Sequence, residues 1–298
     1  DCTSLSSVDY LSGTVNGTFE NVSGFVYITD DVYVNGTLNL TNSTVYAAPS
    51  AAIIINSGGV LNCSSTNFSN DECLDELWGG IEAKSNSQLN LNRINISKAS
   101  TGLKLYTTDL NIDYVVISNC TQGLDAVLNN GLNHKNLDNM RFINAPVQVS
   151  NSAVKFRGGK FSFSNVNIDD CNIFFEPVAA GLEFNRPYFQ ASELNYNSGS
   201  FLGVTYGYFR SMTNIKNCNY AFLCGSKYEN ISTAITINST GKYDILQNLF
   251  ESGNFGVDIQ SGASSSLSSY KNNINFNNQQ NLVSRSDNLI ETSCNFHD

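Results

Sequence analysis

Between Leu77 and Leu124 one pattern is written twice, 21 residues apart: Ala99 is answered by Cys120 and Gly102 by Gly123. Within each copy the apolar residues fall at intervals of two with a single slip of three. The first copy has Leu89, Leu91, Ile94 and Ile96; the second has Leu110, Ile112, Val115 and Ile117. A spacing of two is the period of a strand that buries one face, and nothing here has the 3.6 period of a helix. The slip marks a bend between two strands. Gly79-Gly80 and Gly102 punctuate the stretch as turns.

The rest of the chain follows the same rule less strictly. Val32, Val34, Leu38, Leu40 and Val45 alternate around Gly36, and Ala51 to Ile55 is a continuous apolar strand closed by Gly58-Gly59. A small residue or cysteine recurs at Ala99, Cys120, Ala145 and Cys171, at spacings of 21, 25 and 26. Residues 181 to 210 loosen the pattern and are rich in aromatics, and the period tightens again beyond Ile215. Three short strands per roughly 19 to 26 residues is the signature of a parallel β-helix, in which no coil buries its inward side chains until another stacks on it. The expected fold is all-β, a right-handed parallel β-helix of roughly 12 to 13 coils over residues 1–298 as a single domain. The chain's 43 asparagines fit, because Asn tolerates left-handed turns and stacked Asn side chains hydrogen-bond along an axis. A sandwich or propeller needs hairpin dipeptides, and Asn130-Gly131 is nearly alone. A leucine-rich repeat needs a fixed Leu frame, which is missing.

The net charge of −10, with only 16 Lys and Arg, argues against nucleic acid and against anionic membranes. No apolar run approaches the length of a membrane-spanning helix, so no membrane insertion is expected. The chain starts Asp1-Cys2 without an initiator Met, which points to a processed or trimmed N-terminus. Eight cysteines point weakly to an oxidising compartment. Cys63 and Cys73 flank a short polar excursion and are the expected disulfide; Cys218 and Cys224 are a weaker second pair. Cys120, Cys171 and Cys218 recur about two repeats apart. Alternate coils would hold them ~9.6 Å apart, beyond bridging range, so these are expected not to bridge one another. Cys120 and Cys171 are expected to be buried. Asn-x-Ser/Thr triplets number 11, close to what chance gives with so many asparagines, and are not evidence of glycosylation.

The run from Trp78 to Leu103, WGGIEAKSNSQLNLNRINISKASTGL, resembles the W-x-G-I … L-x-L-x-x-x-x-I-x-x-A-x-x-G-I pattern of parallel β-helix regions in large secreted or cell-surface proteins of Bacteroidetes-type bacteria. The resemblance covers residues 77 to 125 well and the rest as loose periodicity. It implies an extracellular or cell-surface location, export by the type IX secretion system, and a part in adhesion or a surface assembly. Glycans or other cell-surface and secretion-system proteins are the implied partners. The sorting domain found at the C-terminus of such proteins is not visible in this sequence.

The expected function is therefore non-catalytic, with no catalytic residue, metal or cofactor assigned. The alternative is a polysaccharide lyase or glycoside hydrolase of the parallel β-helix type. Asp169-Asp170 is an adjacent acid pair in a repeat, but strand alternation sends its two side chains to opposite faces. The Gly-His-Gly and Arg-x-Lys segments that accompany such acids in polygalacturonases do not occur. Lys155, Arg157 and Lys160, with Arg186 and Arg210, read as a solvated basic face. Asp71, Glu72, Asp75 and Glu76 read as a charged surface loop. His134 and His297 are too far apart in the chain to suggest a shared metal. The candidate ligand-binding residues are Tyr188, Tyr196, Tyr206 and Tyr208, whose rings would stack on sugars if they faced outward. An ordinary inward aromatic ladder is the favoured account of the same stretch.

Overall fold

The structure is a computed structural model. It describes residues 8–70, 76–106, 109–128, 135–138, 140–143, 147–151, 160–164, 167–169, 173–176, 181–185, 187–190, 194–197, 201–216, 218–238, 241–251, 253–260, 266–271, 273–276, 280–284 and 292–293. Every described ladder is parallel, and together they make an all-β parallel solenoid. Among the described residues no helix is long and apolar enough to cross a membrane. The chain's contacts divide into two units, residues 1–127 with 135–148, and residues 128–134 with 149–298.

In the first unit three columns of strands stack. One column passes through Gly24–Val34, Ala52–Ile55, Trp78–Ala83, Ala99–Leu105 and Gln122–Leu128. Its inward row runs Val32, Ile53, Ile81, Leu103, Leu124, all of them buried. A second column carries Leu40, Cys63, Leu91 and Ile112 inward, and a third carries Val26, Val45, Phe68, Ile96 and Ile117. The 21-residue repeat is real in space: Leu103 sits against Leu124, so Gly102 and Ala99 fall beside Gly123 and Cys120.

The slip of three in the apolar pattern is a corner. Asn42, Ser65, Arg93 and Tyr114 occupy it in successive coils, with φ of 51°, 51°, 57° and 54°. One left-handed residue turns the strand from the second column into the third, so Leu91 and Ile94 both point inward although three apart. A non-glycine residue there costs roughly 1–2 kcal/mol, offset by the burial gained on either side. Gly80 marks a tighter approach. Its φ is +98°, and a Cβ there would lie 1.6 Å from the Thr101 carbonyl oxygen, so only glycine fits. Trp78 is fully buried, stacked on Phe68 at 6.1 Å, with its indole N–H donating to the Ser97 carbonyl at 2.8 Å.

The second unit repeats the plan. Leu182, Leu202, Ala221, Tyr243 and Leu267 share one register position, and Tyr206, Gly225 and Gln247 take the left-handed corner. Just past that corner the interior is polar. The Ser226 amide donates to Asn248 Oδ1 (3.0 Å) and the Asn248 amide to Asn273 Oδ1 (2.9 Å). The side-chain nitrogens of Asn248 and Asn273 donate to the carbonyls of Leu223 and Ile245 at 3.0 and 2.8 Å. Each buried asparagine thus satisfies backbone groups of its neighbours that no water reaches. Two residues further along the same coils runs an inward aromatic stack: Phe189, Phe209, Tyr228 and Phe250, with ring centroids 5.0, 4.7 and 5.2 Å apart.

Asn248→Ala should lower the unfolding free energy by about 2–4 kcal/mol, because it leaves buried partners unpaired. Asn39→Ala, in an outward ladder, should cost under ~1 kcal/mol because water replaces its bonds. Denaturant melts of the two variants check the contrast.

Candidate functional site

The aromatic candidates separate once the strands are placed. Tyr196 is buried in an inward row beside Ile215, so it is closed to a ligand. Tyr188 pairs in register with Tyr208. Tyr206 stands at the corner, 65% exposed, with its ring over Gly225. Tyr208 is half-buried and held in an ion network. Its hydroxyl hydrogen-bonds the Glu229 carboxylate and accepts from Arg210 Nε at 3.1 Å. Arg210 and Lys227 lie against its ring at 5.6 and 5.7 Å and approach Glu229 at 3.5 and 3.6 Å; Lys227 also reaches Glu251 at 2.9 Å. The Tyr208 hydroxyl, then the two cations, hold the Glu229 carboxyl below the usual range. These charges are already matched to one another, so the patch stitches coils together. Arg210 therefore belongs to this network rather than to an open basic face.

The expected Cys63–Cys73 disulfide meets a free Cys63 thiol. Cys63 alternates inward between Leu61 and the core, stacked between Leu40 and Leu91. Burial pushes its thiol pKa well up. Strand alternation, not the flanking loop, decides its direction. Cys73 lies outside the described residues. Cys218 and Cys224, the weaker pair, are also thiols rather than a disulfide; Cys120 is a buried thiol, as its setting in the repeat suggested. Asp71, Glu72, Asp75, His134, Lys155, Arg157, Asp170, Cys171, Arg186 and His297 lie outside the described residues. Asp169 and Lys160 fall in strands, and Glu76 is exposed. Among the described residues no three His, Cys, Asp or Glu gather as a metal site.

Two outward features of the first unit went unnoticed in the sequence. The first is a row of amides on the second column. Asn39 donates to the Glu20 carboxylate at 3.0 Å, Asn62 to Asn39 at 2.8 Å and Asn90 to Asn62 at 2.6 Å; Asn111 follows in register. Beside this row, two residues on along each strand, stand Thr41, Ser64 and Asn92. The two rows line an open groove of about 310 Å³ that spans five coils, with parts of Cys63 and Leu91 also reaching it. An asparagine amide has two N–H donors and two acceptor positions. In Asn39 and Asn62 the ladder uses one of each and leaves one of each facing out. The ladder also fixes the amide planes, so a ligand meets them already oriented.

The second feature is an outward aromatic cluster on the third column. Tyr10, Tyr27 and Tyr46 occupy one register position. Tyr10 is 72% exposed and meets Tyr27 edge-on at 6.0 Å; Phe25 stacks on Tyr46 at 6.3 Å. A signal for it existed: Val8-Asp9-Tyr10, Phe25-Val26-Tyr27 and Thr44-Val45-Tyr46 repeat one short strand pattern.

A further outward cluster of titratable groups on this unit is Glu82, Lys104 and Asp125, stacked in register. Desolvation raises the Asp125 carboxyl, against the opposing pull of Lys104. No protein-family model, curated protein or solved structure matches this chain.

Two measurements test this description. Native alkylation followed by peptide mapping should label Cys63 only after unfolding and recover no Cys63–Cys73 crosslinked peptide. In the second unit the Tyr220 hydroxyl donates to Asp244 at 2.6 Å, which pushes its pKa up to about 12. Between the ordinary tyrosine value of ~10 and 12 the folded chain therefore holds a proton that the unfolded chain has lost. The Tyr220 contribution to stability should be level below pH ~10 and fall as pH rises through that window, and Tyr220→Phe should remove this part of the alkaline decline.

Proposed function

We propose that this protein is a non-catalytic module, secreted or displayed on a cell surface, that acts in adhesion or as part of a surface assembly by holding carbohydrate. The observation that carries the reading is the amide groove over Glu20, Asn39, Asn62, Asn90 and Asn111. Its lining is almost wholly neutral and offers donors and acceptors side by side. This is the chemistry that sugar hydroxyls need, whereas bond cleavage needs a placed acid and base. The outward rings of Tyr10, Phe25, Tyr27 and Tyr46 add apolar faces of the kind that stack on pyranose rings. The resemblance of residues 77 to 125 to surface proteins exported by type IX secretion supports the location.

The test is a panel of neutral and acidic polysaccharides, read both for retention of the protein and for product release. Retention without new reducing ends or unsaturated uronates is the expected result. Release of either product, abolished by Asp125→Asn or Asp170→Asn, would establish a polysaccharide-degrading enzyme instead.

A further inference from the structure

We infer that the groove of the first unit takes an unbranched, neutral, β-1,4-linked polysaccharide lying along the solenoid axis, with one sugar over each coil. This rests on the carbohydrate-binding reading above and specifies its ligand. Three observations lead to it.

The first is spacing. The amides of Asn39, Asn62 and Asn90 are joined in an unbroken hydrogen-bonded row, each on the next coil. Stacked strands repeat every ~4.8 Å. An extended β-1,4-linked pyranoside chain advances by nearly that step per sugar with alternate sugars turned over, so one sugar lies over each amide and offers it hydroxyls from alternating ring edges. An extended peptide advances only ~3.4 Å per residue and falls out of phase within a few coils.

The second is polarity. Each interior amide of the row keeps one N–H and one acceptor position unused, and Thr41 and Ser64 add hydroxyls on the neighbouring row. A sugar hydroxyl both donates and accepts, and satisfies such a pair. A carboxylate only accepts, and would meet the amide oxygens unfavourably.

The third is charge. No Lys or Arg lines the groove, Glu20 closes one end, and the chain carries a net charge of −10. A polyuronate would pay this repulsion with no cation to offset it. The groove thus selects neutral glycans.

The experiment is titration calorimetry of the full chain with cello-, xylo- and manno-oligosaccharides of two to eight sugars, and with oligogalacturonates as the acidic comparison. Affinity should rise with length until the five lined coils are filled and then level off. Asn62→Ala should weaken binding about tenfold, the equivalent of about one well-placed hydrogen-bond pair. The double variant Thr41→Val with Ser64→Ala, which leaves the amide row intact, should weaken binding in the same direction with unchanged melting. Tighter binding of oligogalacturonates, affinity independent of length, or full affinity in both variants would overturn the inference. If the variants still adhere to whole polysaccharide, only the groove assignment fails. If the unaltered protein is retained by no polysaccharide, the carbohydrate-binding reading fails with it.

Discussion

The coil-to-coil backbone ladder is the interaction on which everything else depends. A single coil of this chain exposes its Leu, Ile and Val side chains to water on both axial sides. Only the next coil, bonded in parallel register, covers them. Register therefore fixes burial. A one-residue slip in Gln88–Ser97 would turn Leu89, Leu91, Ile94 and Ile96 outward together. The left-handed corners hold that register from coil to coil, since each sets where one strand ends and the next begins.

Asparagine serves this architecture in two ways that differ only in where the side chain points. Inward, at Asn248 and Asn273, the amide replaces water for backbone groups at a corner, and the bonds are worth keeping because the alternative is an unpaired buried group. Outward, at Asn16, Asn35 and Asn56 and again at Asn39, Asn62 and Asn90, the amides bond one another in solvent. There they add little to stability and instead give the surface a fixed, repeating arrangement of donors and acceptors. The same physical device thus builds the core at one position and an ordered outward row of amides at another.

Aromatic residues show the converse. The stretch from 184 to 209 is the densest in rings, yet Phe184, Phe189, Tyr196 and Phe209 are all buried, and Tyr208 is enclosed by Arg210, Lys227 and Glu229. The outward aromatic cluster lies instead near the start of the described chain, where Tyr10, Tyr27 and Tyr46 coincide on one face. Density along the chain is not a measure of a surface; alternation and register are.

The sequence alone determined the fold class, because a spacing of two with a single slip admits strands and a corner and little else. It determined the inward residues of the 77 to 124 stretch for the same reason, and the stacking of asparagines in general terms. It misdirected at Cys63, where a loop between two cysteines suggested a bridge and strand alternation had already committed the side chain to the core. Only the tertiary structure brought the groove together. Its row of Glu20, Asn39, Asn62 and Asn90 is spaced by 19, 23 and 28 residues, because the coils differ in length. No fixed period in the chain marks them as neighbours. Their alignment is set by how much chain each corner and excursion takes up before the next strand regains register.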